Sequence, residues 1–190
     1  DPDRNKLIEH GLDETDRLTT LVKNLLLSAQ IDKSYQPNFE TVDLNRIVQE
    51  VVDQVQKKHP GHQIETALEP GSLIGSFDQF GIYSVFYNLL ENAVKYAGSA
   101  EKIMITTTTD ESGYTIKVSD RGPGILEEEK RKVFEQFYRS GHEETRRTKG
   151  TGIGLFIVKK MIEFHQGKIE ILDNKPTGSI FKVFFPKSRV

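Results

Sequence analysis

The chain has 190 residues, 36% hydrophobic and 28% charged, with a formal net charge of −2. That is enough to bury one full core with a small appendage, and near-balanced charge without a long basic run points to neither nucleic acid nor an anionic membrane. The absence of cysteine excludes disulfides and cysteine-based zinc sites and suits the cytosol; with no apolar run of membrane-spanning length and no apolar core in the opening DPDRNK, the chain as given reads as soluble.

In chain order, Leu7, Ile8, Leu12, Leu18, Leu21, Val22, Leu25 and Leu26 recur at three and four residues, which predicts one long amphipathic helix from Leu7 to Ala29. Gly11 and Thr15 interrupt its stripe. The polar run IDKSYQPN then reads as a linker, placing a boundary near residues 34 and 35. Asp43 is placed to cap a helix with Leu44, Ile47, Val48, Val51, Val52 and Val55 on its core face, ended by HPGH. A strand is expected near Ile64 to Leu68 and a further helix from about Asp78 to Ala97. The alternating runs KIMITTTT and GYTIKVS, joined by DESG, predict an antiparallel hairpin. Residues Gly122 to Gly152 are mostly charged; a helix from Ile153 to Phe164 and a hairpin of KIEILD and IFKVFF, turned by NKPTG, complete the chain. Helices alternating with antiparallel strands, without regular parallel units, predict an α+β fold: a two-layer sandwich with helices on one face.

Three clusters point to chemistry. On the helix holding NLLENAVKY, Asn88, Asn92 and Lys95 fall on one side at 100° per residue, opposite Ile82, Phe86, Leu89, Leu90, Ala93 and Ala97. Asparagine is a poor helix former, so two of them one turn apart cost propensity that Glu or Lys would spare. Neutral carboxamide oxygens suit magnesium beside phosphates, and a lysine supplies a point charge. DRGPGI ends a strand on Asp120, an acceptor for an exocyclic amine, although the stretch alone is most often a turn. GTGIGL, with Gly150, Gly152 and Gly154, opens a helix whose N-terminal amides favour an anion, yet it is neither a Walker loop nor a dinucleotide fingerprint.

Taken in order, NLLENAVKY, DRGPGI, FEQFYR and GTGIGL resemble the N, first glycine, F and second glycine boxes of the ATP-binding domain of sensor histidine kinases, relatives of the gyrase, chaperone and mismatch-repair ATPases; TGSIFKVFFP is similar to the closing strand. The resemblance spans Phe39 to Val190 and implies a Bergerat-type ATP-binding fold over 35–190, with a mobile lid at about 122–152. It implies that Asn92 holds magnesium, that Asn88 and Lys95 lie near the phosphates, and that Tyr96 flanks the adenine. Asp120 would bind the adenine amine, with Gly122 and Gly124 leaving room and Ile125 nearby. Gly150, Thr151, Gly152, Gly154 and Leu155 would wrap the phosphates, Arg139 is a candidate for the γ-phosphate, Phe134 and Phe137 anchor the lid, and Ser179 lines the adenine end. The leading helix, with RLTTLVKNLLLSAQID, resembles the second helix of the dimerisation and phosphoacceptor hairpin, so 1–34 is expected to be its remnant.

The implied activity is transfer of the γ-phosphoryl group of ATP to a histidine on that hairpin, and from there to an aspartate of a response regulator receiver domain, within a homodimer formed through the hairpin. The histidine-bearing helix would precede Asp1, so this chain alone is expected not to label itself. His10, followed by Gly11, Leu12 and Asp13, has the wrong pattern in the wrong helix, His142 precedes Glu143 but lies in the expected lid, and His59, His62 and His165 lack ligand spacing. An ATPase of the gyrase type needs a carboxylate base one turn before the metal asparagine, where this chain has Asn88; Glu91 is the residual alternative. A nucleotide sensor without catalysis and a serine kinase related to anti-sigma factors are further rivals, the leading helix arguing against the last.

Overall fold

The computed structural model describes residues 11, 15, 18, 19, 21, 22, 25–31, 33–98, 101–139 and 151–187. The chain divides into two compact units, Asp1–Tyr35 and Gln36–Val190. In the first, every described residue from 11 to 31 is helical, and Leu18, Val22, Leu25 and Leu26 form an exposed apolar stripe. Thr15 turns its hydroxyl back to the Gly11 carbonyl at 2.8 Å, the local bond by which a threonine fits inside a helix. Leu7, Ile8, His10 and Leu12 lie outside the described residues.

The second unit runs β1 (Phe39–Asp43), α1 (Leu44–Lys58), β2 (Gln63–Ala67), β3 (Ile74–Asp78), α2 (Gln79–Tyr96), β4 (Lys102–Thr109), β5 (Gly113–Ser119), a 3-10 turn (Lys132–Phe134), α3 (Gly154–Phe164), β6 (Lys168–Asp173) and β7 (Ser179–Pro186). Five strands form one sheet in the order β2-β4-β5-β7-β6, while β1 and β3 pair antiparallel as a separate ribbon. That ribbon was not expected from the sequence. Its strands are five residues each, and β1 buries only Val42, too short a pattern to separate from loop. The main sheet is also mixed rather than antiparallel, because β2 lies parallel to β4, with Ile64 opposite Ile103. Parallel pairing needs a crossover, which the intervening β3 and α2 provide.

Alternation sets the two faces of the sheet. Ile103 and Ile105 of β4, Ile116 and Val118 of β5, and Phe181, Val183 and Phe185 of β7 are buried on the helix-covered face. On the other face Lys182 pairs with Glu170 at 2.6 Å. Helix α1 begins where expected: the Asp43 carboxylate accepts from the Asn45 N–H at 3.0 Å, and Leu44, Ile47, Val48, Val51, Val52 and Val55 are buried. Helix α2 buries Ile82, Val85, Phe86, Leu89, Leu90, Ala93 and Val94 between α1 and α3. Its start is tied to the end of α3 by His165, whose Nδ1 donates to the Met161 carbonyl at 2.6 Å and whose Nε2 accepts from the Asp78 N–H at 2.9 Å. Phe39, Phe77 and Phe185 surround that imidazole.

Candidate functional site

The site begins at the end of β5. Asp120 follows the last paired residue, Ser119, and is only 5% exposed. Its main-chain N–H donates to the Ser179 carbonyl at 3.0 Å, and its Oδ1 accepts from the N–H groups of Gly122 at 2.8 Å and Ser179 at 3.3 Å. Burial pushes the Asp120 pKa above the ordinary carboxylate value, and those two N–H groups pull it part of the way back. A carboxylate is an acceptor only, and these backbone bonds use one of its oxygens, which fixes the orientation of the group and leaves the other oxygen able to accept from a further donor. Gly122 must be glycine, because a Cβ there would lie 2.8 Å from the Tyr96 carbonyl. The end of α2 and the turn after β5 therefore meet at van der Waals distance. Gly124 takes the left-handed region at φ 80, and Ile125 is half-buried beside it.

One face of α2 carries the residues expected at the phosphates. The Asn88 carboxamide donates to the Ser84 carbonyl at 2.8 Å, and its Oδ1 would lie 2.7 Å from a Cβ at Gly154, the first residue of α3. The two boxes thus touch through Asn88 and a missing side chain. Asn92 is half-buried one turn further on, and among the described residues its carboxamide makes no hydrogen bond. Lys95 donates to the Tyr96 hydroxyl at 3.0 Å and sits 4.6 Å from the centre of that ring.

The F box packs against the second glycine box through backbone. Phe137, at φ 64, donates its N–H to the Gly152 carbonyl at 2.9 Å, while Gly152, at φ 71, leaves no room for a Cβ, which would meet the Phe137 carbonyl carbon at 2.7 Å. Phe134 is buried and Phe137 is exposed, so only the first of the two expected lid anchors is sunk in the core. The Thr151 hydroxyl accepts from the Ile153 N–H at 3.3 Å before Leu155 enters α3. Arg139 is exposed at the edge of the described residues; Gly150, His142 and residues 140–149 of the expected lid lie outside them.

Glu91, the residual candidate for a water-activating base, is turned away. It bonds His59 Nε2 at 2.9 Å and Lys58 Nζ at 3.2 Å at the end of α1. An open hollow of about 550 Å³ lined by Asn38, Glu40, Asp78, Gln79, Phe80 and Tyr83 lies at the start of α2 and contains none of the four boxes. Among the described residues no three His, Cys, Asp or Glu side chains gather as a cation site. A single carboxamide such as Asn92 suits magnesium that arrives with phosphate oxygens, since that ion keeps most of its ligands outside the protein.

The reading of the sequence missed two residues of the β6–β7 turn. Gly178, at φ 115, has its Cα so close to Asp120 that a Cβ would clash with that residue's carbonyl, and Asn174 donates its Nδ2 to the same carbonyl at 2.7 Å. A glycine after a proline signals a turn, but nothing in the sequence says what the turn presses against.

The catalytic domain of the histidine kinase ThkA is 30% identical to this chain and superposes with a TM-score of 0.68, covering 79% of this chain and 98% of that one. ThkA in complex with the response regulator protein TrrA matches with 29% identity and a TM-score of 0.73, over 93% of this chain and 49% of that one. The fold is that of an ATP-binding catalytic domain of a histidine kinase. Residues 77–189 match the model of the histidine kinase-, DNA gyrase B- and HSP90-like ATPases, and the chain belongs to that family. The sensor protein SrrB of Staphylococcus aureus is 32% identical over an alignment 184 residues long that covers 93% of this chain and 30% of SrrB. The sensor protein KdpD of Clostridium acetobutylicum is 30% identical over 185 residues, 97% of this chain and 21% of KdpD. The chain thus spans less than a third of either relative. Among the described residues no helix is long and apolar enough to cross a membrane.

Proposed function

We propose that this chain is the ATP-binding catalytic portion of a cytoplasmic sensor-kinase module, which delivers the γ-phosphoryl group of ATP to a histidine on a dimeric helical hairpin for relay to a response regulator aspartate. The observation that carries the reading is the Asp120 carboxylate, buried at a strand end with one oxygen bound to two backbone N–H groups. Such a group presents a fixed acceptor to an adenine amine. Asn88, at the middle of α2, lies close to Gly154, which supports a triphosphate running along that helix with its tail at the N-terminus of α3. Asn92 would hold magnesium there, and the ion would neutralise charge on the phosphate oxygens. The protein's own contribution is positioning: Asp120 orients the base, Lys95 and Arg139 supply positive charge, and the glycines admit the phosphates to backbone N–H groups.

Hydrolysis by a gyrase-like route is disfavoured because Asn88 cannot accept a proton and Glu91 is paired with Lys58 and His59. Incubation with labelled ATP and a separately prepared phosphoacceptor hairpin tests the proposal. Acid-labile phosphate should appear slowly on the hairpin and not on this chain. Steady ATP hydrolysis without hairpin labelling would favour the ATPase instead.

A further inference from the structure

We propose that Asn174, in the turn between β6 and β7, is a positioning residue for base recognition: it holds the Asp120 main chain so that the free carboxylate oxygen faces the exocyclic amine of the purine. The inference rests on the nucleotide reading above and assigns a new residue to it. The Asn174 carboxamide is fixed at both ends by groups whose roles cannot be exchanged. Its Nδ2 donates to the Asp120 carbonyl at 2.7 Å, and its Oδ1 accepts from the Lys175 N–H at 3.0 Å. A carbonyl requires a donor and an amide N–H requires an acceptor, so the orientation of the side chain is determined.

The rest of the turn acts on the same residue. Ser179 takes the Asp120 N–H and gives its own N–H to Oδ1, so one hairpin holds the N–H, the C=O and one carboxylate oxygen of Asp120. Gly178 presses its Cα against the Asp120 carbonyl and lies under Gly124, whose Cβ would stand 3.4 Å from the Gly178 carbonyl. At the foot of the turn, Asp173 pairs with Lys130 at 2.8 Å, tying the segment after DRGPGI to the hairpin. Of these contacts only that of Asn174 reaches Asp120 through a side chain other than its own, so it is the one a substitution can remove without altering a main chain.

The test compares magnesium ATP with magnesium inosine triphosphate, which carries a carbonyl where adenine carries the amine, by calorimetric titration of the full chain. Asn174→Asp keeps the size and the acceptor for Lys175 but sets an oxygen against the Asp120 carbonyl; Asn174→Ala removes both bonds. In each variant the affinity for ATP should fall on the order of tenfold, as for one lost hydrogen bond to a charged site, while that for inosine triphosphate changes less than about twofold. The ratio of the two affinities does not depend on the fraction folded, so partial unfolding cannot imitate the result. A wild-type chain that prefers ATP, with variants that keep its full preference or lose both nucleotides equally, would overturn the positioning role. A wild-type chain that fails to bind ATP, or binds both equally, would overturn the nucleotide reading itself.

Discussion

The two ends of the site are built by different means. At the strand end, Asp120 is held by a polar network, with partners on Gly122, Asn174 and Ser179 at 2.7 to 3.3 Å. At the helix end, Gly152 and Gly154 are defined by what their missing side chains allow, namely contact with Phe137, Tyr138 and Asn88. The contrast follows from the ligand chemistry proposed. A base is recognised through a few directed bonds and rewards a rigid acceptor, whereas a triphosphate is surrounded by many N–H groups and rewards close backbone approach.

Substitution at a glycine of each end should show the largest effects and should rank them. Gly178→Ala forces a side chain onto the Asp120 carbonyl at φ 115, and should lower stability by about 3 kcal/mol in urea unfolding. Gly152→Ala, at φ 71 with its nearest neighbour 2.7 Å away, should cost about 2 kcal/mol. The reverse order would mean that the helix end is the stiffer of the two.

Asp120→Asn should separate stability from binding. Asparagine keeps an acceptor for the Gly122 and Ser179 N–H groups, but it presents a donor as well toward an amine, so ATP affinity should fall by about tenfold or more in calorimetry. Because the Asp120 pKa is raised, its ionised form costs the folded state free energy above that pKa, and the cost fades as falling pH protonates it. The neutral variant should therefore melt higher than the wild type without nucleotide at neutral pH. A lower melting point would show that the carboxylate is a stabilising element of the apo fold.

These effects also mark what the sequence makes legible. The apolar faces of α1, α2 and α3 and both expected hairpins follow from period and turn residues, because burial on one face leaves a repeat. The four boxes place Asp120 and Gly154 at element ends and Asn88 within a helix, where the structure has them. Pairing that spans long separations leaves no such trace. The β1–β3 ribbon and the parallel β2–β4 register join distant residues through backbone ladders, and the partnership of Glu91 with His59 and the contact of Asn174 with Asp120 do so through single side-chain bonds. None of them alters local composition.

A smaller effect should come from His165, which lies outside either end and ties α3 to α2. Burial lowers its pKa, so the folded state keeps the imidazole neutral, with the Met161 carbonyl and the Asp78 charge opposing the shift. The stability it supports is complete above the ordinary histidine value of about 6.5 and is lost as pH falls through it, since the unfolded chain then binds the proton more readily. The wild type should lose stability between roughly pH 7 and 5.5 beyond what His165→Gln loses over the same range, read by urea unfolding at each pH. Parallel stability curves for the two proteins would contradict the neutral assignment. Smallest of all, Arg139→Ala should weaken ATP binding by a few-fold, about 1 kcal/mol for an exposed charge, and leave adenosine binding unchanged. Equal losses for both ligands would place Arg139 at the base end.

The central claim, that a nucleotide lies with its base at Asp120 and its phosphates at Gly152 and Gly154, is tested most directly by amide chemical shifts during titration. Adenosine alone should perturb Asp120, Gly122 and Ser179. Magnesium ATP should add Gly152 and Gly154 to the same set. Perturbations centred instead on the hollow around Asn38, Gln79 and Phe80, or none near Asp120 with either ligand, would contradict the account.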